Sequence, residues 1–425
     1  MPEDRARASD GNDPASALVL EGLPPYPFPN PTALEPPPEW ERLRSQCPVA
    51  RIRLASGDEA LLLTRYDDVR AMLSDPRFSR QLDADDASRV SDSDDGGVFS
   101  RPSTSTGGEV DTGEPEASML GGAGHRRWRR LVGKAFTVKR VQALRPGMVE
   151  LAERLITDMV EAGAPADIGP ALGFPLPVFV ICDLLGVPRD DRDRFARWSD
   201  TMLNMTRFTQ DEIDRSGREF FQYMTDLVAA KRSEPGDDLL SDLAADMSAT
   251  ELVMTGQGLL IAGHETTATM IGKMVAMLLA DREHRWERLL ADPSLVPSAV
   301  EEALRFDANP GFGMPRYVSE ETVVGGTTLP RGTTVVCSMA AGNRDPGAFD
   351  GAEDMNLARR PNPHLAFGVG PHSCVGQQLA RVELQTVLEV LLRRLPTLEL
   401  AGDAADLRAR QGLIVGGIDR VPVRW

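Results

Sequence analysis

"HLAFGVGPHSCVGQQLAR", residues 364–381, sets a cysteine between glycines and just ahead of an apolar-periodic run, "GQQLARVELQTVLEVLLRRL", that reads as a helix. The unpaired N–H groups and positive dipole end of such a helix favour a thiolate at Cys374. Gly368 and Gly370 allow a tight turn that other residues would strain. Gly376 leaves room for something flat and bulky against the helix start. A free cysteine is often a small buried hydrophobe, but glycines on both sides of a cysteine at a helix start have no packing rationale.

A second stretch, "GLLIAGHETTATMIGKMVAMLLA" at 258–280, reads as one buried helix with polar residues at its centre. Ser248 and Glu251 form an S-x-x-E capping box ahead of it. His264 and Glu265 begin the zinc-protease pattern HExxH, but residue 268 is Ala, so the second metal ligand is missing. Taken alone, Gly263 can be a close helix contact, and Thr266 and Thr267 can bond carbonyls one turn back. Thr267 stands about 100° further round the helix than Thr266 and is expected to face elsewhere.

The 364–381 loop resembles the haem-binding signature of the cytochrome P-450 superfamily, F-G-x-G-x-H-x-C-x-G followed by L-A-R. The matching residues are Phe367, Gly368, Gly370, His372, Cys374, Gly376, Leu379, Ala380 and Arg381. The resemblance implies haem b (iron protoporphyrin IX) with Cys374 as its axial thiolate ligand. Ala262, Gly263, Glu265 and Thr266 match the family's A/G-G-x-D/E-T helix. There the resemblance implies that Gly263 lets the backbone pass close over the haem, that Thr266 holds a proton donor, and that Glu265 relays protons from solvent. Glu302 and Arg305 in "EALR" would alone be an ordinary i,i+3 surface pair. In the family this pair is buried and joined by an arginine ahead of the haem loop, matched by Arg359. His125 and Arg129 in "GHRRWRRLVGKAFT", with Arg316 and His372, match contacts to the haem propionates.

The rest of the chain bounds this reading. A net charge of −17, from 47 basic and 64 acidic residues, argues against nucleic acid as a partner. Four scattered cysteines suggest no disulfide framework. The proline-rich lead has neither the pattern of a signal peptide nor that of a membrane-spanning helix, so a cytoplasmic protein off the membrane is expected. "VARIRLASGDEALLLTRY" reads as a β-hairpin and "DDVRAMLSDPRF" as a short helix. Residues 83–118, with ten acids and two arginines, read as a mobile acidic loop. From about 124 to 306 the pattern is helical, with breaks at "AGAPAD", "GVPRDD" and "SEPGDD". Residues 315–342 revert to strands, "VVGGTTLPRGTTVV" reading as β, turn, β. The expectation is a mainly α fold with a minor β part. A flexible tail (1–19) precedes a single large helical domain (20–425) with small β-sheets around a buried haem, and the acidic loop borders the substrate pocket.

The function this implies is a monooxygenase that inserts one atom of dioxygen into a small organic substrate, by hydroxylation or epoxidation, in specialised metabolism. It would be a monomer drawing electrons from NAD(P)H through ferredoxin reductase and ferredoxin. Arg126, Arg127, Arg130, Lys134 and Lys139 form either a solvated basic face or the surface on which an acidic carrier docks. Oxidative coupling and peroxide-driven oxidation on the same fold are alternatives, as is a haem-binding sensor without turnover. Retention of Glu265 and Thr266 argues against peroxide dependence and against a sensor.

Overall fold

A long run that is apolar almost all round is stable only inside a protein, and residues 258–280 lie in the central helix of the fold. The computed structural model describes residues 23–80, 82, 84, 86–90, 121–203, 208–280, 284–309, 312–410 and 415–425. In chain order, α1 (Glu39–Gln46) leads into the hairpin of β1 (Val49–Arg53) and β2 (Glu59–Leu63), then α2 (Tyr66–Ser74) and β3 (Phe78–Ser79). The helical part comprises α3 (Gly122–Val132), α4 (Val138–Ala162), α5 (Pro175–Leu185), α6 (Arg192–Leu203), α7 (Gln210–Ser233), α8 (Leu239–Leu243), α9 (Ala249–Leu279), α10 (Arg285–Ala291) and α11 (Val296–Phe306). The short strand β4 (Ala166–Asp167) lies between α4 and α5. Then follow β5 (Met314–Val318), β6 (Thr322–Val324), β7 (Thr327–Leu329), β8 (Thr334–Cys337) and α12 (Met339–Gly342). The chain closes with α13 (Gln377–Arg394), β9 (Glu399–Leu400), β10 (Ala409–Arg410), β11 (Gly417–Ile418) and β12 (Pro422–Arg424).

The capping box at the start of α9 is formed as expected. Ser248 Oγ accepts from Glu251 N at 3.2 Å, and Glu251 Oε2 accepts from Ser248 N at 2.7 Å. The 31 residues of α9 run about 46 Å at the α-helical rise and pack against α5, α7, α11 and α13. One large apolar core fills the space among these helices. Two smaller cores flank a five-stranded sheet of order β1-β2-β8-β5-β3, in which only the β2 and β8 pair is parallel. Among the described residues, no helix is long and apolar enough to cross a membrane.

The strands depart from the expected pattern in three places. The stretch "VVGGTTLPRGTTVV" holds two turns. Gly325 and Gly326, at φ +56° and +80°, make the two-residue turn of a separate β6–β7 hairpin, because a tight hairpin needs positive φ at both positions. The chain then turns again, and β8 joins the large sheet instead. Residues 339–342, expected to be extended, form the helical turn α12, whose first amides are capped by Ser338 Oγ accepting from Ala341 N. The break "AGAPAD" contains β4, which pairs with β12 at the far end of the chain.

The described start of the acidic stretch is tied to the sheet. Ser88 N donates to Thr334 Oγ1 (2.9 Å), Ser88 Oγ donates to Glu59 O (2.6 Å), and Tyr317 OH donates to Asp86 Oδ1 (2.9 Å). The rest of that expected loop, residues 91–118, and the 1–19 tail lie outside the described residues.

Candidate active site

The cysteine loop is shaped by what it passes. Gly370 adopts φ +76°, and a Cβ there would fall 2.7 Å from Leu73 O and 2.9 Å from Ser74 Cα, so only glycine lets the loop press against the end of α2. Cys374 N donates to Phe367 O at 2.8 Å and closes the loop immediately before α13. The Arg381 guanidinium lies over the Phe367 ring at 4.5 Å and is held by Glu301 of α11 (Nε to Oε1, 2.7 Å), which also meets His364 Nε2 at 3.0 Å. Cys374 is exposed although it sits deep in the molecule. The expected bias toward thiolate is present but does not win in the protein alone. Burial pushes the thiol above its ordinary value, against the opposing pull of the Gly376 N–H, Arg129 and Arg381.

Beside this loop the structure gathers five basic side chains, with no acid among the described residues to pair them. The rings of His125 (α3) and His372 stand 4.1 Å apart. Arg129 Nη2 donates weakly to Ser373 Oγ at 3.4 Å. Arg316, on β5, is 3% exposed and bonds only a carbonyl, Pro315 O. A fifth group, Arg80 after β3, was carried by no motif. Burial and then the Arg316 charge push it down to about 10. His372 is driven down to about 3 by burial and then by His125, Arg80, Arg316 and Arg129, and His125 is lowered by burial and by Arg129, Arg80 and Arg126. Among the described residues none of the three arginines has a carboxylate partner, and the buried His372 Nδ1 has no hydrogen-bond partner. Such a cradle matches a dianion.

On α9 the two threonines part company. Thr266 Oγ1 donates to Ala262 O at 2.8 Å, and Ala262 is exposed in the middle of a buried helix. Thr267 does face elsewhere, as expected, but it is buried and bonded to Glu383 of α13, a fully enclosed carboxyl held well above its ordinary value by burial. A Cβ on Gly263 would lie 3.5 Å from Ile181 of α5, an ordinary contact distance, so packing against α5 does not by itself require glycine there. His264, 1% exposed, packs edge-on against Phe174 at 4.3 Å, and burial lowers it to about 3. Burial raises Glu265 to about 7 despite the opposing charge of Arg410. A carboxyl so placed exchanges protons near neutrality.

Glu302, Arg305 and Arg359 come together as a buried triad. Arg305 meets Glu302 through two bonds of 2.8 Å, and Arg359 Nε lies 3.0 Å from Glu302 Oε2. Asn356 N and Asn362 Nδ2 complete the coordination of the carboxylate, while the arginines donate to the carbonyls of Asn343, Ala352, Asp354, Asp350 and Gly351. Removing one partner of a buried pair typically costs about 3–5 kcal/mol, whereas the intact network adds little beyond its own desolvation. These bonds tie α11 to residues 343–362, the segment that leads into the cysteine loop.

The basic face is smaller than the sequence suggests. Arg126, Arg130, Lys134 and Lys139 are exposed beside Val138, which is 59% exposed. Arg127 instead pairs with Glu251 (2.6 Å) and donates to Asp246 O, tying α3 to the first turn of α9.

The family model "Cytochrome P450" matches residues 176–404, over half of the chain. The chain is 40% identical to a mycinamicin IV hydroxylase/epoxidase of Micromonospora griseorubida, over 94% of this chain and 98% of that protein. It is also 40% identical to a nocardicin C N-oxygenase of Nocardia uniformis subsp. tsuyamanensis, with the same coverage. Among solved structures, the cytochrome P450 hydroxylase of the leinamycin biosynthetic pathway of Streptomyces atroolivaceus superposes with a TM-score of 0.83 at 38% identity, covering 95% of this chain and 100% of that one.

Proposed function

The chain belongs to the cytochrome P450 superfamily, and from that premise we propose that it is a haem-thiolate monooxygenase inserting one atom of dioxygen into a small organic substrate of secondary metabolism. The observation that carries the proposal is the cradle of Arg80, Arg129, Arg316, His125 and His372 beside Cys374, which no described acid neutralises. It fits haem b, whose two propionates bring the missing negative charge, while Cys374 offers the axial sulfur. Phe367, Gly368 and Gly376 shape the loop against which the ring would lie. When bound, the haem supplies reductive activation of dioxygen at an iron whose thiolate ligand favours O–O cleavage.

The remaining steps belong to side chains. The single hydroxyl proton of Thr266 is committed to Ala262 O, so its oxygen lone pairs can only accept. An accepting hydroxyl holds a proton-donating water in place. Glu265, neutral below about pH 7, delivers protons to that water and regains them from solvent. Exclusion of bulk water falls to the apolar faces of α5 and α9.

Support for secondary metabolism comes from the relatives, one named for mycinamicin IV, one for nocardicin C and one for leinamycin biosynthesis. Their names include hydroxylation, epoxidation and N-oxygenation, and what these share is oxygen insertion. The proposal includes a cytoplasmic monomer served by ferredoxin and ferredoxin reductase, in keeping with four free cysteines. Turnover with NAD(P)H, surrogate ferredoxin and reductase under isotopically labelled dioxygen should place one labelled atom in a product drawn from a metabolite panel. Product formed with hydrogen peroxide alone, and none with NAD(P)H, would replace this reading with the peroxide-driven one.

Arg126→Glu and Arg130→Glu are expected to slow reduction by ferredoxin while leaving substrate affinity unchanged, and wild-type reduction should slow as salt rises. Stopped-flow reduction at two ionic strengths checks this. Arg127→Glu should differ by lowering stability as well, because that guanidinium is engaged with Glu251. Salt-independent reduction with unaffected variants would move the docking surface elsewhere.

A further inference from the structure

Lys273 is a cation in the otherwise apolar last ten residues of α9 (270–279), only 5% exposed, and nothing in the proposed chemistry uses it. A buried ammonium needs compensation, and Lys273 Nζ finds it in Asp307 Oδ1 at 2.9 Å and Asn309 Oδ1 at 3.1 Å, both just beyond α11. The second contact fixes the Asn309 amide. With its oxygen accepting from a lysine, which can only donate, its NH2 must point the other way. There Nδ2 donates to Thr266 O at 3.0 Å. That carbonyl is the one an α-helix assigns to the Met270 N–H, so it receives a donor from outside the helix at the residue whose hydroxyl is also bonded, to Ala262 O. A side chain donating into the carbonyl ladder is a recognised cause of local bending in a helix.

We propose that Lys273 and Asn309 form a positioning strut that sets the orientation of α9 at Thr266, and with it the place where the Thr266 hydroxyl accepts a proton donor. The strut acts through Thr266 and touches no reacting atom. In the chain, Asp307 and Asn309 stand between α11 and β5, the strand that carries Arg316. This inference rests on the reading of Thr266 given above.

Asn309→Asp separates positioning from simple structural support. The replacement keeps the size of the side chain and an acceptor for Lys273 but donates nothing to Thr266. The holoprotein is expected to keep its melting temperature, its substrate dissociation constant and its carbon-monoxide spectrum. In protein carrying carbon-13 at threonine carbonyls, the infrared difference between variant and parent should show one carbonyl moving to higher frequency as it loses a donor. Product formed per NAD(P)H should fall several-fold, and adding Asn309→Asp to Thr266→Ala should bring no further loss, because residues acting as one unit are non-additive. If Thr266→Ala uncouples and Asn309→Asp does not, or if no threonine carbonyl shifts, the strut is refuted. If Thr266→Ala itself stays coupled, the reading of Thr266 is what fails.

Discussion

Thr266→Ala is expected to consume NAD(P)H at close to the parental rate and to return most of it as hydrogen peroxide, with product per NAD(P)H falling on the order of tenfold or more, well within what the loss of a positioned proton donor can cost. Substrate, carbon monoxide and electrons should still bind or arrive, because none of these needs the hydroxyl. The geometric reason is specific to this helix: the Thr266 proton is spent on Ala262 O, and what the alanine variant loses is an acceptor that holds a water. Glu265→Gln should instead slow turnover and flatten its pH dependence. In the parent, the donor form is lost as pH rises through about 7. The same carboxyl binds its proton more tightly folded than unfolded, so parental stability should decline from the ordinary glutamate range up to about pH 7 and level off above it. Glu265→Gln should lessen that decline in a denaturation series, the remainder belonging to Glu383, whose carboxyl is also held above its ordinary value. Thr267→Ala separates the two threonines: coupling unchanged, stability lower by about 1–3 kcal/mol, because a buried partner of Glu383 is gone. A fully coupled Thr266→Ala enzyme would reduce these threonines to helix packing.

Cys374→Ser should abolish the red-shifted Soret band of the reduced carbon-monoxide complex and bring turnover to background. The loop does not depend on the sulfur for its shape. Its closure rests on the Cys374 N–H to Phe367 O bond, and its flank on the Arg381 to Glu301 clamp. An alcohol in the same place donates far less charge to iron. Burial holds the thiol above its ordinary value in the protein alone, whereas a thiol that coordinates a metal is deprotonated outright. Optical titration with carbon monoxide before and after the substitution decides the matter. An unchanged band would remove Cys374 as the ligand.

What the sequence made legible was whatever is written locally. The cysteine loop, the Ser248 and Glu251 cap, the first hairpin and the order of the helices all depend on residues within a few positions of one another, and the mainly helical fold with small sheets followed from them. Assemblies made from distant segments were harder to see. Arg80 stands in "DPRFSRQL" like any surface arginine, and only the folded sheet brings it beside Arg316. Two-residue strands such as β4 have no pattern of their own and exist because β12 passes alongside. Lys273 looks like an interruption of an apolar run until Asp307 and Asn309 arrive from the segment just beyond α11. Arg127 reads as one of a basic series, yet the fold singles it out for Glu251.

The crowd of cations around His372 has a consequence for how the protein accumulates. Three guanidinium groups, forced together by burial beside two imidazoles that they hold neutral and unopposed by any described acid, repel one another in the bare polypeptide. Whatever neutralises them binds the folded chain and not the unfolded one, and by mass action each hundredfold excess over its dissociation constant adds about 2.7 kcal/mol to stability. Yield of intact protein in a host cell should therefore track porphyrin supply. Polypeptide made faster than porphyrin is delivered becomes substrate for chaperones and proteases.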